Sequence, residues 1–261
     1  MREESNIKNR LGERKIMNCG EECEIVEYRK YNDITVKFLN SGEIVKTSYS
    51  NFKNKTIKSH FTPTVCNVGV VGTENTMGKN SKILKSYRYW HSMLNRCYSE
   101  ELKEKEPTYI GCKVCDEWLH YPNFKEWFDR NYYEIEGQKM CLDKDILVKG
   151  NKIYSPETCI IVPQSINSLF TNRKLNRGNY PIGVNWKEDN KKYQAYCNMF
   201  YEDIKKHKQK YLGLYNTPEE AFQVYKEFKE KYIKQVADYY KDQIPERLYE
   251  AMYKYEVDID D

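Results

Sequence analysis

The 32 residues Lys139–Phe170, KMCLDKDILVKGNKIYSPETCIIVPQSINSLF, decide the reading of this chain. Leu142-Asp143 leads into an extended segment, and Lys149-Gly150-Asn151-Lys152 has the composition of a turn. Tyr154 to Val162 returns as a second strand, with Ser155-Pro156 bending its start. Pro163 suits the first turn of a helix, where its missing N–H costs nothing. Asn167, one turn in, is placed to face back toward Asp143. The stretch is therefore a ββα unit.

Upstream, Tyr87 to Tyr98 sets Trp90, Met93, Leu94 and Cys97 at helical spacing. Tyr109-Ile110-Gly111-Cys112-Lys113-Val114-Cys115 follows, then Trp118 and Asn123-Phe124-Lys125-Glu126-Trp127. Further back, Glu24–Tyr28 and Ile34–Phe38 alternate apolar and polar residues as strands do, and Glu43-Ile44-Val45 resumes the pattern after a turn at Asn40-Ser41-Gly42. This is a small β-domain, read as a partly open barrel. Gly69–Ser81 (GVVGTENTMGKNS) is Gly- and Asn-rich and reads as a linker.

Downstream, three short strands are expected at Gly183–Trp186, Lys192–Tyr196 and Tyr211–Tyr215. Thr217 and Glu220 form the two ends of a capping box that opens a helix. The rest of the chain is helical, with a break at Pro245, and nothing in that tail suggests chemistry. The fold class is α+β. Its divisions are an N-terminal β-domain (1–68), a linker (69–85), a central ββα domain (86–175), and a C-terminal three-stranded sheet plus helix with a helical tail (176–261).

Composition bounds the function. A hydrophobic content of 39% with 31% charged residues belongs to a globular chain, and 24 tyrosines suit surfaces that are partly apolar and partly hydrogen-bonding. No apolar run reaches the ~20 residues a membrane span needs, and MREESNIKNR has no signal-peptide core. Nine cysteines with no export signal read as reduced thiols, which places the protein in a cytoplasm. The net charge of +4 is unevenly spread. Between 171 and 215, ten basic residues face four acids; between 216 and 261, seven face twelve. One face for phosphate and another turned away from it is the expected consequence.

The central stretch resembles the ββα-metal core of the HNH endonucleases, in the branch found in phage homing-type nucleases. The likeness rests on Leu142, Asp143, Tyr154, Ser155, Pro156, Glu157, Cys159, Val162 and Asn167. The upstream Trp90/Met93/Arg96-Cys97-Tyr98 block and the Gly111-to-Trp118 stretch repeat the same family's pattern in the same order. The segment Gly183–Tyr225 resembles the ethylene-response-factor (AP-two) DNA-binding domain. Together these likenesses cover about 86–227, a little over half the chain.

That resemblance implies an activity: metal-dependent cleavage or nicking of DNA. Asp143 and Asn167 match the metal-ligand positions, and two oxygen donors suit Mg²⁺ or Mn²⁺ rather than zinc. Lys144 stands where the family's general-base histidine belongs, and Thr158 where the orienting asparagine belongs. A free lysine is a cation at neutral pH, so Lys144 either becomes a base through burial or holds a phosphate oxygen, with Asp145 or Glu157 as substitute base. None of the histidines His60, His91, His120 and His207 lies inside the hairpin.

In the AP-two-like segment the resemblance implies DNA contacts at Asn185, Trp186, Lys187, Lys192, Tyr193, Gln194 and Tyr196. Lys206 and Lys208 in the Lys205–Lys210 run would clamp phosphate. Trp186 and Tyr193 read equally as sheet core. Cys112-x-x-Cys115 has the spacing of a structural Zn²⁺ half-site, or of two small thiols packing a core. The expected partner is DNA in a host bacterial cytoplasm. The alternative is a scaffold that has lost its base and acts as a DNA- or protein-binding phage regulator, or as a counter-defence inhibitor of a host nuclease.

Overall fold

A computed structural model of the chain describes residues 10–171, 180–201 and 206–261, with no side-chain description at 200, 201, 206 and 207. Arg173, Lys174, Arg177 and Lys205 of the basic block therefore lie outside the described residues. The protein is α+β and divides into two compact units, Met1–Arg130 with Lys152–Ser155, and Asn131–Asn151 with Pro156–Asp261. Among the described residues no helix is long and apolar enough to cross a membrane.

The first unit opens on four strands in sequential order, β1 (Arg14–Ile16), β2 (Glu22–Lys30), β3 (Asp33–Phe38) and β4 (Ile44–Thr47). All neighbours are antiparallel. Among the described residues β1 and β4 are edges that do not pair, so the sheet is an open meander rather than a partly open barrel. The period-two pattern puts Cys23, Ile25, Ile34, Val36 and Phe38 on one buried face, closed by Phe52 of the one-turn helix α1 (Tyr49–Lys53).

Residues 69–83 are tied into this unit: Val70 bridges to His120, and Met77 to Ile83. A Cβ on Gly69 would sit 2.4 Å from Leu94 Cδ1, so only glycine lets that backbone lie against helix α2 (Lys85–Tyr98). Helix α2 buries Trp90, Met93, Leu94 and Cys97, the face its spacing predicts. Trp90 Nε1 donates to the carbonyl of Trp118 at 2.6 Å, which satisfies the indole inside the core. Helices α3 (Glu100–Lys105) and α4 (Tyr121–Asn131) follow, with the short strand β5 (Lys113–Val114) between them.

In the second unit β6 (Met140–Asp143) pairs antiparallel with β8 (Ile160–Pro163), and the short helix α5 (Gln164–Asn167) follows directly. The expected second strand, Tyr154 to Val162, is two strands. β7 (Ile153–Tyr154) runs parallel to β5 in the first unit, and a turn at 156–158 precedes β8. Pro156 accounts for the break, since it cannot donate to a ladder. Pro163 is the residue before α5 rather than its first, in extended geometry (φ −59°, ψ 141°).

The remaining strands β9 (Val184–Lys187), β10 (Lys192–Tyr201) and β11 (Lys206–Tyr215) form an antiparallel sheet in the order β11-β10-β9. Helix α6 (Pro218–Tyr240) backs it and α7 (Glu246–Lys254) ends the fold. The predicted capping box is present: Thr217 accepts from the Glu220 N–H at 3.2 Å, and Glu220 accepts from the Thr217 N–H at 3.4 Å. One half of α6 covers the sheet through Ala221, Phe222 and Tyr225. The other half, with Leu248 and Met252 of α7, packs Ile160, Val162 and Ile166 of the hairpin and α5. The acidic helical tail is thus the larger part of the hairpin's core.

Candidate functional site

Asp143 is the last residue of β6, and its side chain organises the turn that follows. Its Oδ1 accepts the backbone N–H of Asp145 at 2.9 Å and of Ile146 at 2.8 Å, bending the chain away from the sheet. Ile146 then drops into the core cluster shared with α6 and α7. The carboxyl is half-buried. Burial, followed by the charge of Asp145, pushes it up to about 6, although the two backbone N–H donors oppose the rise.

Lys144 is buried, 7% exposed, and its Nζ lies 2.9 Å from Asp145 Oδ2. Its carbonyl accepts from Asn151 Nδ2 at 2.7 Å, so Asn151 pins the turn across seven residues. Three consecutive residues therefore bring two carboxyls and one ammonium into a single half-buried cluster. As an ion-paired ammonium, Lys144 offers positive charge to a phosphate rather than a lone pair to a proton. The far end of the turn is also held: Lys149 Nζ pairs with Asp261 at 2.8 Å, donates to the Glu256 carbonyl at 3.0 Å, and lies over the Tyr255 ring.

Thr158 sits in the turn before β8, half-buried. Glu157 is exposed, and its carbonyl accepts from Arg247 of α7 at 2.6 Å. Asn167 ends α5, half-buried, and its side chain makes no hydrogen bond among the described residues. Asp143 and Asn167 thus lie on elements that pack together, without a direct hydrogen bond between them. Among the described residues no three His, Cys, Asp or Glu side chains come together as a metal-binding group. Cys112 and Cys115 flank β5, one buried and one half-buried, and Cys112 Sγ points to the Thr108 carbonyl at 4.0 Å.

The C-terminal sheet sorts its candidates by register. Asn185 lies opposite Gln194 and Lys187 opposite Lys192, and both pairs point away from Ala195 and Cys197, which are buried against α6. Tyr196 shares that outward face, opposite Tyr211, which is 56% exposed. Trp186 and Tyr193 face each other on the helix side, edge to face at 4.8 Å. Tyr193 packs onto the core there, while Trp186 is half-exposed and hydrogen-bonds Glu188. β11 starts at Lys206, five residues before the strand expected at Tyr211, so Lys206–Lys210 belong to the sheet. Lys208 lies opposite Met199, and Lys206 pairs with Tyr201 through its backbone.

Sequence reading marks Lys149 and Asn151 only as turn residues and passes over Asp261; the structure shows Asn151 holding the Lys144 carbonyl and Asp261 holding Lys149 from 112 residues away. A buried lysine escapes it as well. Lys229 of α6 is 8% exposed, stands in the stripe that faces β10, and makes no hydrogen bond or ion pair among the described residues. Burial pulls its ammonium below the usual lysine range, and the neighbouring Cys197 opposes the shift.

A comparison with family models, curated proteins and solved structures finds no match to this chain.

Proposed function

We propose that the protein is a DNA-binding, HNH-like endonuclease of the phage type, in which β6, β8 and α5 form the reaction centre and the C-terminal sheet locates the DNA. The carrying observation is Asp143, a half-buried carboxyl raised by burial and by Asp145 at the head of a turn it caps itself. Asp143 and Asn167 would hold the Mg²⁺ or Mn²⁺, and the oxygen donors present suit such an ion. When bound, such an ion would supply positive charge to a scissile phosphodiester. Lys144 holds a phosphate oxygen as a cation, and Asp145, 46% exposed at its side chain, is the proton acceptor for water. Asn185, Lys187, Lys192, Gln194 and Tyr196 present amides, ammoniums and a hydroxyl on one sheet face, a donor set for phosphates and base edges.

The Lys144–Asp145 ion pair also favours the second reading, a scaffold without a free base that binds DNA or a host defence nuclease. Supercoiled DNA with Mg²⁺, with Mn²⁺ and with EDTA separates the two. The nuclease reading expects metal-dependent nicking that is lost in Asp143→Ala with DNA affinity retained. Binding without any cutting supports the scaffold, and cutting that persists in Asp143→Ala removes this site from consideration.

A further inference from the structure

Helix α2 has a second face, largely outside the core, that the proposed nuclease site does not use. Its fourteen residues, KSYRYWHSMLNRCY, contain Lys85, Arg88, His91 and Arg96 and no carboxylate, in a chain with 39 acids. Tyr87, Arg88, His91, Ser92, Asn95 and Arg96 recur at helical spacing along that face, opposite the buried Trp90 and Leu94. They line an open groove of about 560 Å³ that Tyr109, Leu102 and Glu106 complete on the far side. This volume accommodates a nucleotide unit.

Several of these side chains are set in place. Arg96 lies over the Tyr109 ring at 5.6 Å and hydrogen-bonds the buried Tyr154. Cys66 Sγ donates to Asn95 Oδ1 at 2.9 Å, which orients the amide so that Nδ2 faces His91 Nδ1 at 3.1 Å. An amide NH₂ only donates, so His91 Nδ1 is the acceptor and the ring hydrogen sits on Nε2. His91 therefore presents an N–H donor, exposed and without a partner among the described residues. Arg88 is likewise exposed and without a partner among them. Tyr87 packs edge-on against Tyr121 at 5.3 Å, fixing its ring at the groove's edge.

We propose that this groove binds single-stranded nucleic acid, with Arg88, Arg96 and His91 on phosphates and a splayed base stacked on Tyr109. Two guanidiniums and an imidazole N–H donor against one carboxylate, Glu106, make the lining anion-selective. Fixed aromatic rings beside them are the stacking platform that unpaired bases use and paired bases cannot reach. None of these residues is used by the proposed nuclease site, so the inference stands whether or not the protein cuts DNA.

The test is fluorescence anisotropy on the full chain in EDTA, with a labelled oligothymidine strand and a duplex of the same length. Arg88→Glu is expected to weaken single-strand binding about tenfold and to flatten its salt slope by about 0.7 per lost phosphate contact. Duplex affinity is expected to hold. Tyr109→Leu is expected to weaken single-strand binding about five- to a hundredfold with the salt slope unchanged. Arg88→Lys, which keeps the charge, is expected to keep the slope. Unchanged single-strand affinity in Arg88→Glu overturns the proposal, and so does an equal loss on both probes. Circular dichroism and thermal midpoints of each variant exclude loss of the fold as the cause.

Discussion

Replacing Asp143 by Asn tests the electrostatics of the turn without disturbing its geometry. The amide oxygen of Asn keeps both acceptor roles, toward the Asp145 and Ile146 N–H groups at 2.9 and 2.8 Å. What disappears is the charge that burial and Asp145 oppose. Raising this carboxyl from 3.8 to about 6 corresponds to about 3 kcal/mol in favour of its protonated form, and solvent screening at a half-buried position reduces this to about 1–2 kcal/mol. The sign follows from proton counting. Between about pH 4 and about pH 6 the folded chain holds a proton that the unfolded chain has released, so stability falls as pH rises through that window. Above it the full cost is present.

Asp143→Asn is therefore expected to be more stable than the parent by about 1–2 kcal/mol at pH 7–8, with the gain shrinking toward zero near pH 4. Urea unfolding at a series of pH values reads the difference. Excess Mg²⁺ adds a second reading: it raises the midpoint of the parent by mass action and leaves the variant where it was. A variant less stable than the parent at neutral pH would refute the argument. A gain that does not change with pH would refute it too, since the stabilisation would then come from packing.

Lys229→Met replaces a buried ammonium, unpaired among the described residues, with an apolar chain of similar length. It is expected to stabilise the second unit by about 1–3 kcal/mol in thermal or urea unfolding. Because the ammonium is pulled below its ordinary range, the parent becomes more stable as pH rises through its folded pKa toward the unfolded one, a trend that Lys229→Met should lack. Gly183→Ala places a Cβ 2.2 Å from the Tyr225 ring at a backbone φ of +77°. Clash and strain together are expected to cost about 3 kcal/mol or more, and wild-type stability in that variant would contradict the sheet–helix packing. Lys192→Ala removes an outward cation opposite Lys187, so duplex affinity should fall and its salt slope flatten by about one charge. An unchanged slope would place DNA elsewhere.

The sequence by itself determined what depends on near neighbours along the chain. Periodicity gave the strands around Ile25, Val36 and Val184, the buried face of α2, and the Thr217–Glu220 cap, because each is a local balance of side-chain direction and backbone hydrogen bonding. Asp143, Lys144 and Asp145 are adjacent in the chain, so their closeness is equally local, while the turn that groups their charges is held by Asn151. Only the tertiary structure decided which contacts close over long separations. It split the expected second strand, so that Ile153–Tyr154 joins Lys113–Val114 and leaves Ile160–Pro163 to pair with β6. It divided Trp186 and Tyr193 from Asn185 and Gln194 by register, a property of two strands at once. It also made α6 and α7 the partner of the hairpin's apolar face, with Lys229 enclosed against the sheet. Burial is a sum over neighbours far apart in the chain, and no window of sequence contains them.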